Sequence, residues 1–552
     1  MEQISVQVLD DKLAEEARTV AGQLAGEAVA SKLTAQDPAL WGPDAEPEAA
    51  IRLSWTTLHD TSRPLVGRIE ALTAELRGEG VDRVVLAGMG GSSLAPEVIT
   101  NTAGAPLVVL DTTDAGQVAD ALAGDLHRTV LVVSSKSGST VETDSHRRIF
   151  VDAFAGAGID AARRIVVVTD PGSPLAKLGT DEGYRAVFLA DPHVGGRYSA
   201  LTAFGLVPAG LAGVDIGGLL DDAAAAAARL SEDLATNPGL VLAAALGTRH
   251  STGAEKVVLA DSGSGIKGFP DWAEQLIAES TGKHGTGLLP VAVEGIDAPG
   301  FAGAGTDATP VAIGPAARAA MISTGGPLGG QMLLWEYAVA VAGRLLGINP
   351  FDQPDVEAAK VAARALLAEA SGPAEATSPR AKPAGGDAEA APTFTEGPIE
   401  VHASAGWLPE GSDSVAGAIT ALAAAAPDLG YVSVQAYLDR LDDASAALLR
   451  AELARRTGLQ TTFGWGPRFL HSTGQYHKGG HQNGVFLQIT GAATADIAVP
   501  DRPYTLGVLQ HAQALGDGSV LADHGRPVLR LHLTDRVAGL AELFKALAEV
   551  AR

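Results

Sequence analysis

The chain has 552 residues, 46% of them hydrophobic and 19% charged, a balance typical of folded proteins and a length beyond one compact core. It contains no cysteine, which excludes disulfides, thiolate nucleophiles, cysteine zinc sites and iron–sulfur clusters. A formal net charge of −25 argues against nucleic acid as the main partner, since phosphate backbones need a basic face, and no nucleic-acid partner is expected.

Met1-Glu2-Gln3-Ile4-Ser5 shows no basic segment leading into an apolar run, and so no secretion signal. The apolar stretches are strand-length, far short of the ~20 residues a membrane helix needs. A cytoplasmic protein with no membrane partner is the expectation.

Residues 1–78 read as an N-terminal helical segment, with Ala/Leu/Glu-rich stretches at 13–33 and 64–76. A βα rhythm begins at Val81. Apolar, β-branched runs at 83–87, 107–110, 130–134, 164–169 and 186–190 alternate with helix-length segments, which predicts a parallel sheet with helices on both faces over residues 79–218. A second series, with strands at 257–261, 288–293 and 310–314 and a long apolar helix at 331–346, defines a domain beginning at 219–369. Ala, Pro, Gly, Glu and Ser then crowd together without apolar period, and 370–397 reads as a linker or insertion. Strand-like runs return at 399–404, 431–437, 484–490 and 528–533, before a helix at 534–552. Residues 398–552 are expected to complete the second domain. The fold class is therefore α/β, with two doubly wound parallel-sheet domains, N-terminal helices and a helical C-terminus.

Two strand ends carry anion-binding chemistry. Gly88-Met89-Gly90-Gly91-Ser92-Ser93 directly follows the first strand, and such a turn lets backbone N–H groups approach an anion. Alone this is weak, since a tight turn with no ligand has the same composition. Ser134-Ser135-Lys136-Ser137-Gly138-Ser139-Thr140 is more telling: five hydroxyls and one ammonium lie in seven residues at another strand end. A helix cap needs one hydroxyl, not five. Together the loops describe a sugar-phosphate site in the crevice of an open α/β sheet.

Two further segments, Gly195-Gly196-Arg197-Tyr198-Ser199 and Gln275-Leu276-Ile277-Ala278-Glu279-Ser280-Thr281-Gly282-Lys283, make the pattern specific. With Ser135-Lys136 through Thr143, and with Asn349-Pro350-Phe351-Asp352-Gln353 through Lys360, they occur in the order found in glucose-6-phosphate isomerases, and the chain resembles that family. One departure stands out. The family's histidine normally lies between the glutamate and Phe-Asp-Gln segments, where this chain has only His284. The similar segment is Leu470-His471-Ser472-Thr473-Gly474-Gln475-Tyr476, after Lys360, as in isomerase modules fused to transaldolase. A transposed order is inferred, and the 370–392 stretch is one candidate scar.

The resemblance implies interconversion of glucose 6-phosphate and fructose 6-phosphate by a homodimer, with no cofactor and no metal. It assigns proton transfer between C2 and C1 to Glu279, enediolate stabilisation to Arg197, and ring opening to His471 with Lys360. A carboxylate suits the first task because partial desolvation raises its pKa toward neutrality, and imidazole suits the last because it titrates near pH 7. Gly91, Ser92, Ser135, Lys136, Ser137 and Thr140 would hold the phosphate end, with Gln275 and Gln353 also binding substrate. Three alternatives stay open. His284, His477 or His481 could replace His471; His471, His477 and His481 could form a metal site; and the substrate could be another phosphosugar, including mannose 6-phosphate. A noncatalytic phosphosugar-binding regulator is a rival of another class, but it would not need Glu279, Lys360 and His471 together.

Overall fold

The computed structural model describes residues 3–355, 361–367, 391–404, 406–493 and 495–550. The chain divides into two compact units, one of residues 1–111 and 122–353, the other of 112–121 and 354–552.

The first unit holds two sheets. One runs, in spatial order, Val108–Leu110, Arg83–Gly88, Thr129–Ser134, Ile165–Thr169 and Ala186–Leu189, with every pair parallel. Its strands are buried on both faces, which is why they read as continuous apolar runs rather than alternating ones. Val84, Leu86, Val130, Val132, Val166 and Val168 belong to the unit's main core. Val85, Leu131, Val133 and Val167 alternate with them and are equally buried, so they face the other side, as a doubly wound sheet requires.

The second sheet runs Ser5–Val8, Ile322–Gly325, Ala308–Ile313, Lys256–Asp261 and Leu289–Ala292. It is parallel except at its edge, where Ser5–Val8 lies antiparallel to Ile322–Gly325. The N-terminal segment is thus not wholly helical, since Ser5–Val8 is a sheet edge. Helices Asp11–Gly26 and Arg63–Gly78 follow, overlapping the two expected helical stretches. Leu328–Leu345 is a helix buried from Leu328 to Gly343.

The second unit carries a six-stranded sheet ordered Phe394–Glu396, Ile399–Ala403, Val528–Leu533, Gly484–Gly491, Tyr431–Tyr437 and Gln460–Trp465. The first two pairings are antiparallel and the rest parallel. Residues 398–552 therefore build a sheet and an apolar core of their own instead of completing the second sheet of the first unit. Short apolar parallel strands read alike whichever sheet they join, so the sequence does not separate the two arrangements. Residues 368–390 of the expected linker lie outside the described residues. Among the described residues, no helix is long and apolar enough to cross a membrane.

Candidate active site

The first sheet delivers its loops at the carboxyl ends of adjacent strands. After Arg83–Gly88 the chain turns through Gly90–Ser92 into the helix Leu94–Ala103. Gly91 is required here by contact: a Cβ would lie 2.0 Å from the carbonyl oxygen of Gly196. The two glycine-rich segments thus touch backbone to backbone, and Ser199 Oγ donates to Gly91 O at 3.5 Å. Ser92 is buried.

After the neighbouring strand Thr129–Ser134, residues 135–140 form a turn before the helix Val141–Gly156. Gly138 has φ +70° and packs against the backbone of Leu175, so a side chain there meets both strain and contact. The hydroxyls bond to one another: Ser135 to Thr140 at 2.8 Å and Ser137 to Ser139 at 3.1 Å. Ser135 Oγ accepts from Gly138 N–H, and Ser137 Oγ from Ser139 N–H. Lys136 Nζ donates to Asp170 at 2.6 Å. Burial lifts the Asp170 carboxyl above its ordinary range, and the Lys136 bond opposes that rise.

The helix Phe269–Thr281 begins with Pro270 and Asp271 in its first turn, both suited to a helix N-terminus. It is capped at its end by Gly282. Gln275 and Glu279, four residues apart, share a face. Gln275 Nε2 donates to Glu279 Oε1 at 3.2 Å, and Arg197 Nη1 donates to Glu279 Oε2 at 3.3 Å. Arg197 is 3% exposed and Glu279 5%. Arg197 also donates from Nε to Ser280 Oγ (2.9 Å), from Nη1 to Gln353 Oε1 (3.0 Å), and from Nη2 to the carbonyls of Pro350 (2.7 Å) and Asp352 (2.9 Å). Tyr198 OH completes the group with a 3.1 Å bond to Ser280 Oγ, and burial pushes its phenol up to about 12.

Four of the residues expected at the site, Arg197, Gln275, Glu279 and Gln353, are therefore one hydrogen-bonded centre. The sequence reading gave no role to Ser280, Tyr198 or Lys283, although all three lie inside the quoted motifs. The Lys283 ammonium, fully buried, donates to Asn349 O, Asp352 O and Asp352 Oδ1 at 2.6–2.8 Å. Burial first, and the Arg197 charge second, lower it to about 8. Lys360 lies outside the described residues. His284 is exposed, at a turn where its φ is +56°.

His471 belongs to the second unit. It ends the short 3-10 turn Arg468–His471 that follows the strand Gln460–Trp465, and it is half-buried. His477 is a core residue of that unit: its ring packs on Phe486, Tyr431 and Phe469. Burial holds its pKa well below the ordinary value. His481 is exposed. Among the described residues the one group of three imidazole or carboxylate donors within 4.8 Å of one another is Asp120, Asp439 and Asp442, so the three histidines do not converge on a metal site.

Comparison with known proteins places the chain among phosphosugar isomerases. The phosphoglucose isomerase family profile matches residues 56–308. A glucose-6-phosphate isomerase of Symbiobacterium thermophilum is 31% identical over 413 residues, covering 58% of this chain and 91% of that protein. A probable glucose-6-phosphate isomerase of Natronomonas pharaonis is 30% identical over 54% of this chain and 82% of its own length. For one of Haloquadratum walsbyi, 34% identical, the match spans 43% of this chain and 53% of the relative. Among solved structures, a hypothetical protein of Thermus thermophilus superposes with TM-score 0.56 at 25% identity, over 66% of this chain and all of its own. A glucose-6-phosphate isomerase of Chlamydia trachomatis gives TM-score 0.55 at 20% identity, over 68% and 90%. Fold and relatives together define an α/β sugar-isomerase-type enzyme. The chain belongs to the phosphoglucose isomerase family.

Proposed function

We propose that this chain is an aldose–ketose isomerase that interconverts glucose 6-phosphate and fructose 6-phosphate. The observation that carries the reading is the Glu279 carboxylate, buried between the Gln275 amide and a long contact to the Arg197 guanidinium. A carboxylate so placed is held out of water, and its single 3.3 Å guanidinium contact leaves it able to reach a substrate proton.

In this reading Glu279 takes the C2 proton of the open-chain aldose, leaving a cis-enediolate, and returns it to C1. Arg197 is a fixed positive charge beside the developing enediolate oxygen, so no dipole must reorganise as charge appears. The hydroxyl loop 135–140, with Gly91, Ser92 and Lys136, takes the phosphate, the non-reacting end. Its self-paired hydroxyls exchange one partner for another at small net cost. His471 and Lys360 open the ring by moving a proton between ring oxygen and C1 hydroxyl, a task for which imidazole has the right pKa. Their part rests on the motif resemblance, as do a cytoplasmic homodimer and a reaction needing no metal or cofactor.

The direct test is a coupled assay: purified protein with fructose 6-phosphate, product read through glucose-6-phosphate dehydrogenase. Turnover that survives exhaustive EDTA is the expected result. No turnover of fructose 6-phosphate sinks the proposal, and loss on chelation restored by zinc or manganese would sink its metal-free form.

A further inference from the structure

Arg197 and Lys283, the two buried cations of the centre, have every N–H engaged. The five of Arg197 go to Ser280, Glu279, Gln353, Pro350 O and Asp352 O. The three of Lys283 go to Asn349 O, Asp352 O and Asp352 Oδ1. Six of these eight bonds therefore end on the segment 349–353, and the Asp352 carbonyl accepts from both cations. The bond lengths are unequal. Arg197 sits 2.7 Å from Pro350 O but 3.3 Å from Glu279, so the guanidinium is drawn toward the segment and away from the carboxylate.

We propose that Lys283 is a positioning residue of the isomerase reaction: by anchoring residues 349–353 it holds Arg197 off a two-bonded pair with Glu279. The inference rests on the isomerase reading given above. Lys283 touches no substrate in this role. It fixes Asn349 and Asp352, and these fix the acceptors that occupy Nη2 of Arg197 and present Gln353 to Nη1. Without the anchor, Nη2 loses its fixed partners. Glu279 already accepts from Nη1 of the same guanidinium, and a bidentate guanidinium–carboxylate pair is the geometry the two groups favour. Such a pair lowers the basicity of Glu279 and covers the oxygen that must reach the substrate. The cost falls on the chemical step, because the loop that holds the phosphate is built from other residues.

The protonation of Lys283 supplies an independent readout. The charged groups facing it are Arg197, which disfavours its charge, and Asp352 and Glu279, which favour it. A neutral amine has two N–H groups and cannot satisfy three acceptors. Turnover should therefore fall on an alkaline limb centred near the Lys283 value of about 8.

The experiment is steady-state kinetics on fructose 6-phosphate as a function of pH, for the wild type, Lys283→Met, Lys283→Gln and Asp352→Asn. Lys283→Met should lower kcat by about 10–100-fold, the loss expected for ~1 Å misplacement of catalytic groups, with KM changed far less. Lys283→Gln, which keeps two N–H donors without the charge, should recover part of that loss. Both variants should lack the alkaline limb. Asp352→Asn keeps an acceptor for Lys283 but removes the charge that favours the ammonium, so its limb should move to lower pH. A Lys283→Met enzyme with kcat within twofold of wild type overturns the inference, and so does a limb that persists in either Lys283 variant. If the Lys283 variants do not fold, the Asp352→Asn limb decides, and an unmoved limb overturns the proposal. An inactive wild type would instead overturn the isomerase reading, and this inference with it.

Discussion

The two halves of the candidate site in the first unit are built on opposite terms. The loop 135–140 is largely half-exposed, and its hydroxyls bond to one another through neutral contacts of 2.8 and 3.1 Å. The Arg197 centre is buried, charged and saturated, with every guanidinium donor already directed. A neutral hydroxyl pair near solvent is worth about 1 kcal/mol net, so a phosphate oxygen can replace it readily. A guanidinium fixed by five acceptors cannot move without leaving buried groups unpaired, which costs more. The difference separates binding from chemistry. The region that must admit and release substrate is exchangeable, and the region that meets developing charge is set in advance.

Binding and chemistry should separate furthest at Glu279. Glu279→Gln keeps the size of the side chain and one acceptor oxygen but removes the base. It should lower kcat by ~10²–10⁴-fold, the usual worth of general acid–base catalysis, while KM and protection by inorganic phosphate change little. Turnover above about a tenth of wild type would take the base assignment with it. A smaller effect is expected at the other half. Alanine at Ser135, Ser137 and Thr140 together should raise KM by about 10–100-fold, at about 1 kcal/mol for each of two or three lost hydrogen bonds, and leave kcat within a few-fold. Competition by inorganic phosphate and 6-phosphogluconate should weaken in parallel. A drop in kcat with unchanged KM would place the loop in the chemical step instead of in binding.

Much of this division was legible in the residues. The strands ending at Gly88 and Ser134 announce themselves because strands buried on both faces are continuous β-branched runs. The edge strand Ser5–Val8 did not, since four residues, two exposed and two half-buried, carry too little pattern, and Ile322–Gly325 has one large apolar residue in four. Arg197, Gln275, Glu279 and Gln353 were legible as chemistry through their motifs. The anchoring of Arg197 and Lys283 was not, for a physical reason: four of their six bonds to residues 349–353 end on main-chain carbonyls, which every residue has, so no side-chain pattern encodes them.

Glu336 sharpens the contrast further, because it is buried like Arg197 but unsatisfied. It lies in the helix Leu328–Leu345 at 0% exposure, and neither carboxyl oxygen has a hydrogen-bond partner among the described residues. Burial alone raises its pKa well above the ordinary 4.5. The folded state therefore holds a proton that the unfolded chain releases above about pH 4.5. Its contribution is fully present below that value and is lost progressively as pH rises toward the folded pKa. Glutamine has nearly the same shape and carries no charge to bury, so it escapes that loss. Glu336→Gln should raise Tm at about pH 8 by on the order of 1–3 °C, shrink the difference in Tm between pH 5 and pH 8, and leave kcat and KM unchanged. Thermal denaturation at the two pH values measures both effects. A Tm that falls by a similar amount at pH 8 would mean that the carboxylate is stabilised after all, and Glu336 would then belong with the satisfied groups around Arg197.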